Sequence, residues 1–171
     1  MFGKGEAIIY GTQGVCVIDG IEAMSFGKEK REYYILKPVY DENSTIYAPT
    51  DNETVTLKMR RVLTKEEIDI LIDSIGKEET EWIQNDSLRR EFCESVINKG
   101  DRKELVQLVE MLYMRQKDLK SQKKHFHIAD EKYLKEAEKI IDDELAYVLG
   151  IDRDRVPEYI AERINKEPET V

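Results

Sequence analysis

Signatures of catalysis are missing from this 171-residue sequence. It holds no GxSxG elbow for an activated serine, no Walker loop, no GxGxxG after a strand and no HExxH pair. Carboxylates are plentiful, but they recur at helical spacing with Lys and Arg and read as solvated faces. Only two cysteines occur, Cys16 and Cys93, too far apart in the chain to suggest a disulfide framework, so a reducing compartment fits best. No apolar run reaches the length of a membrane helix, and Met1-Phe2-Gly3-Lys4-Gly5-Glu6 lacks the apolar stretch of a secretion signal. The expectation is a cytoplasmic protein without enzymatic activity. Histidine is as scarce as cysteine. His125 and His127 would share a face on a strand, but zinc needs three or four ligands and the soft candidate elsewhere is Cys93. The alternative is a loop in which Phe126 and Ile128 pack while both imidazoles stay wet. Neither metal nor cofactor is expected.

What the chain has in abundance is charge, unevenly placed. The net charge is −9, yet residues 113–135 carry seven basic against three acidic side chains. Acidic blocks flank this basic band. Phosphate neutralisation supplies most non-specific DNA affinity, so such a chain binds DNA poorly alone and needs another protein to deliver it. No membrane partner is implied, and a monomer is expected.

The first 60 residues read as β structure. Glu6–Tyr10, Val15–Ile18 continuing through Asp19-Gly20 into Ile21–Met24, Glu32–Val39, Thr45–Pro49 and Thr54–Lys58 are short β-rich runs separated by glycine-containing or charged turns. Pro38 cannot donate to a ladder and belongs at an edge or a bulge. Five short strands without a helical period predict a small, bent antiparallel sheet or barrel with at least one open strand.

After Val62 the period is helical. Thr64 with Glu67 forms a capping box, and Gly76 stops the first helix. A second helix is predicted over about 86–98, with Leu88, Phe92, Val96 and Ile97 as its apolar positions. A third opens on Asp101 with Glu104 at N3 and carries Leu105, Leu108, Val109, Leu112 and Tyr113. A fourth runs from about Asp130 to Gly150, and Pro157 sits in the first turn of a short final helix. Residues 165–171 should fray. The fold class is therefore α+β, with residues 1–62 a small five-stranded bent sheet or barrel (Tudor/SH3-like on the family resemblance given below) and 63–171 an all-α domain of four to five helices.

Trp82 is the only tryptophan, and it lies between helices, after the charged segment Gly76–Thr80. A lone tryptophan in a small domain is commonly partly buried core. Placed at the start of a helix, it can instead be presented to a partner. Arg89 and Arg90 follow two turns later, and a tryptophan flanked by arginines suits a wedge at a base step, the indole stacking while the cations hold phosphates. The basic band Arg115–Lys124 ends the third helix. Some of its charge complements the helix dipole, but Lys123 and Lys124 lie beyond the last turn and are candidates for phosphate contacts.

These stretches resemble one family, the CarD/CdnL transcription regulators, whose first domain is similar to the polymerase-interacting domain of the transcription–repair coupling factor. Phe2-Gly3-Lys4-Gly5-Glu6 with Tyr10 and Gly14, Glu32–Leu36 with Ile46–Pro49, and Thr80-Glu81-Trp82 followed by Gly100-Asp101, Val109–Tyr113 and Leu134–Glu138 carry the likeness over about residues 2–150. The resemblance implies a Tudor-like barrel that binds the β subunit of bacterial RNA polymerase by strand addition, with Met24, Thr45, Ile46 and Tyr47 as the polymerase-binding residues. It also implies that Trp82 meets promoter DNA at the upstream edge of the melted bubble and favours the open state. Arg89, Arg90, Lys123 and Lys124 are the accompanying DNA-binding candidates. Other members often carry arginine where Met24 and Tyr47 stand, and histidine in place of Gln13; the segment from Asp152 on has no counterpart. An alternative is an adaptor that binds polymerase and recruits another protein through its helices without touching DNA.

Overall fold

The computed structural model describes residues 1–166 and divides into two compact units, Met1–Leu63 and the chain from Thr64 onward. Of the tail expected to fray, residues 167–171 lie outside the described residues. No helix among the described residues is long and apolar enough to cross a membrane.

The first unit is an antiparallel sheet of β1 (Ala7–Tyr10), β2 (Val15–Ser25), β3 (Lys30–Pro38), β4 (Ile46–Pro49) and β5 (Met59–Arg61), in the order β4-β3-β2-β1-β5. The sheet does not close into a barrel, so β4 and β5 are both edges. Alternation along the strands sends Ile8, Cys16, Ile18, Tyr34, Leu36 and Ala48 to one side, where Met59 joins them in a closed core. Asp19-Gly20 runs on within the strand, as expected. It marks a register shift between Ile18 and Gly20 within a single long β2. Pro38 closes β3 opposite Cys16, past the last β3–β4 pair at Leu36 and Ile46, so its missing N–H costs that pairing nothing.

Thr54–Lys58, expected as a strand, is not one. Glu53–Thr56 forms a single helical turn, α1, because the Asn52 side chain caps it by accepting from Val55 N. A local cap outweighs the β preference of three β-branched residues in a row when the segment is too short to pair.

The second unit is a helical bundle: α2 (Lys65–Asp73), α3 (Asp86–Lys99), α4 (Arg102–Ser121), α5 (Ile128–Leu149) and α6 (Val156–Asn165). Its starts follow the sequence closely. Thr64 and Glu67 make the full capping box on α2, and Asp101 accepts from Glu104 N on α4. Gly100 and Gly150 end α3 and α5 in the left-handed conformation that glycine adopts without strain. The faces of two helices differ from the periodic reading. On α3 the inward residues are Arg89, Cys93, Val96 and Ile97, while Leu88 and Phe92 are exposed. On α4 Val106 and Met111 are buried, and Tyr113 is exposed.

Candidate nucleic-acid and polymerase interfaces

Trp82 lies in a non-helical segment before α3 and is partly buried. The guanidinium carbon of Arg89 lies 4.5 Å from the ring centroid and that of Arg115 lies 5.2 Å away. Each contact contributes roughly 0.5–2 kcal/mol, more where water is excluded. The indole is thus neither sealed in the core nor loose. It is gripped by two cations and retains an open part.

Arg89 is the anchor of this arrangement. Its Nε donates to Asp130 at 2.9 Å, Nη2 to Asp86 at 2.7 Å, and Nη1 to the Ile83 carbonyl at 2.9 Å. Only 5% of the residue is exposed, and Asp130 is equally buried. The Arg89 hydrogen bond holds the Asp86 carboxyl below its usual range, and the Asp130 bond raises Arg89 itself. Contrary to the expectation from sequence, Arg89 is not placed to contact DNA: a buried guanidinium engaged at all three nitrogens cannot reach a phosphate. It explains the turned face of α3 as well. With Arg89 held inward by Asp130, Leu88 and Phe92 rotate out to solvent.

The remaining DNA candidates stay accessible. Arg90 is exposed on α3, and Lys123 and Lys124 are exposed where α4 ends. Their backbone is specific. Lys124 N donates to the Leu119 carbonyl at 2.9 Å and Lys123 N to the Lys120 carbonyl at 3.1 Å, a paired closure of the helix end. Lys123 adopts φ 56°, the left-handed position usually given to glycine. His125 and His127 are exposed; among the described residues no three His, Cys, Asp or Glu side chains come together to hold a metal. Burial pushes the Cys93 thiol up to about 11.

On the first unit, β4 is the accessible strand of interest. Thr50 N donates to the Glu32 carbonyl at 3.0 Å, which fixes the phase of the ladder. By alternation Ala48 and Ile46 point their polar backbone groups at β3, whereas Tyr47 turns its N–H and C=O to the free edge. Pro49 shares that outward phase, and its absent N–H limits non-specific strand addition. The Tyr47 side chain is 43% exposed and stands beside Phe26, ring centroids 5.6 Å apart, which in turn meets Tyr33 edge-on at 5.1 Å. Register places Met24 on the same sheet face as Tyr33 and Tyr47. Thr45, just before β4, accepts from Lys37 Nζ. Ile46 leaves the candidate set, since its backbone serves β3 and its side chain packs on the core.

Nothing in the sequence joins Trp82 to Arg115, 33 positions apart, or Arg89 to Asp130, 41 apart. The basic composition around Arg115 was the available signal for the first, and none existed for the second.

A five-stranded sheet with an outward-facing edge strand is a module suited to accepting a strand from a partner. Residues 2–63 match the CarD-like/TRCF RID domain family. The match covers the first unit, and a domain of that kind points to RNA polymerase interaction and transcription regulation. The helical unit lies outside the matched residues.

Proposed function

We propose that this chain is a non-catalytic regulator that docks on the β subunit of bacterial RNA polymerase through β4 and sets Trp82 against promoter DNA at the upstream edge of the melted region. Binding the open state better than the closed duplex would shift the population toward open complexes. The match of residues 2–63 to a CarD-like/TRCF RID domain carries the reading. The placement of Trp82 outside the helices, with two arginines against its ring, supports its DNA half. The net charge of −9 favours delivery by polymerase over autonomous binding, because recruitment raises effective concentration.

The test compares the full chain with Trp82→Ala. Capture by polymerase should be unchanged while the lifetime of promoter open complexes falls severalfold. Equal lifetimes with equal capture would leave the adaptor reading in its place.

A further inference from the structure

The two arginines against Trp82 differ in everything except their proximity to the ring. Arg89 is 5% exposed and donates from each of its nitrogens. Arg115 has a buried Nε with no acceptor among the described residues. Among the described residues its one ion pair is Nη1 to Asp118 at 3.5 Å, at the outer limit of a hydrogen bond. Asp118 is itself 52% exposed and already accepts from Gln122 Nε2 at 3.3 Å. The Arg115 side chain remains 34% exposed. It is a planar donor fork braced by an indole, poorly satisfied at one nitrogen and open at its end.

Such a fork fits an oxyanion with two oxygens at guanidinium spacing, and a phosphodiester offers that geometry. Arg115 also starts the basic tract that continues through Lys117, Lys120, Lys123 and Lys124, so an anionic polymer meeting it would find further cations on the last turns of α4 and just past its end.

We infer that the two arginines have opposite roles: Arg89 is a positioning residue that fixes Trp82 through Asp130, and Arg115 binds a backbone phosphate of the DNA that Trp82 meets. This rests on the DNA reading proposed above. Stacking brings the two contacts within one side-chain width, so the phosphate held by Arg115 would set where the indole falls relative to the strand.

The test uses the full chain with RNA polymerase holoenzyme and a promoter duplex carrying a pre-melted bubble. Complex lifetimes are followed after competitor challenge between about 50 and 200 mM salt. Arg115→Gln should shorten the lifetime at least threefold and lower the log–log salt slope by about 0.9, the value of one released phosphate contact. Arg115→Lys should keep the wild-type slope. Asp118→Asn, which frees Arg115 from its acidic neighbour, should lengthen the lifetime, and it decides the matter even if Arg115→Gln folds poorly. If Arg115→Gln alters Trp82 emission but leaves lifetime and slope unchanged, or if Asp118→Asn has no effect, Arg115 only shields the ring and the inference is overturned. Trp82→Ala separates the two levels. A loss there, without one for Arg115→Gln, defeats the phosphate assignment alone, whereas no loss for Trp82→Ala defeats the DNA reading beneath it.

Discussion

Arg89 and Asp130 share a 2.9 Å hydrogen bond between two side chains that are each only 6% exposed, one near the start of α3 and one in the first turn of α5. Asp130 gains from the amide end of its helix, and Arg89 extends the link to Asp86 and the Ile83 carbonyl. One guanidinium thereby ties two helix starts to the residue that follows Trp82.

Replacing Arg89 with Met should cost about 3–5 kcal/mol, because Asp130 would be left buried and unpaired. Denaturant unfolding measures the loss. As Trp82 is the only tryptophan, its emission reports the same event locally, and a red shift in the folded variant is expected. The double variant Arg89→Met with Asp130→Leu should recover much of the stability, since an apolar pair avoids the stranded charge. A single substitution costing under about 1 kcal/mol would show that the pair does not hold the segment.

Tyr47 allows a test of strand addition that spares the fold. Its N–H faces away from β3, so Tyr47→Pro removes an outward donor without breaking an existing ladder bond. Capture of polymerase should fall at least tenfold, about 1.4 kcal/mol, with little change in melting temperature. Ala48→Pro should do the reverse, unfolding the sheet by removing a bond to β3. If Tyr47→Pro binds polymerase normally, β4 is not the docking edge.

How far the sequence was legible follows from the range of each interaction. Thr64 with Glu67 and Asp101 with Glu104 are three residues apart, and both caps were readable because local spacing determines them. The face of α3 was not. Leu88 and Phe92 look like core by type and period, yet one residue of rotation, imposed by Arg89 finding Asp130 far along the chain, places them outside. Thr54-Val55-Thr56 misled in the opposite direction, since three β-branched residues outvoted one asparagine cap. Trp82 was recognisable as a singular residue, but its two cationic neighbours depended on tertiary packing.

Asp142 should make stability depend on pH. Burial first, then the charges of Glu138 and Asp143, raises its carboxyl to about 7, and no cation pairs with it among the described residues. Asp143 beside it is held by Lys139 and Arg153. A raised acid penalises folding where the unfolded chain has ionised and the native one has not. The penalty is absent below about pH 4, grows up to about pH 7 and is constant above. Asp142→Asn should therefore match wild type in acid and exceed it by about 1–3 kcal/mol at pH 8. Urea titrations at several pH values check this, and a constant difference across the range would place the carboxylate in water.

Lys123 separates stability from function most cleanly. It occupies a left-handed position at φ 56°, where a side chain strains the backbone and glycine does not. Gly100 and Gly150 close α3 and α5 in that conformation, so α4 departs from the other long helices by placing a cation there. Lys123→Gly should relieve about 1 kcal/mol of strain and raise the melting temperature by several degrees. Under the DNA reading the same substitution removes a phosphate contact and should shorten open-complex lifetimes. Lys123→Asn should ease the strain partly and lose the charge fully, giving an intermediate stability with the same short lifetime. Opposite signs in the two measurements would mean that the strained lysine is kept for its charge, whereas a more stable variant with unchanged lifetimes would make Lys123 a bystander at the end of α4.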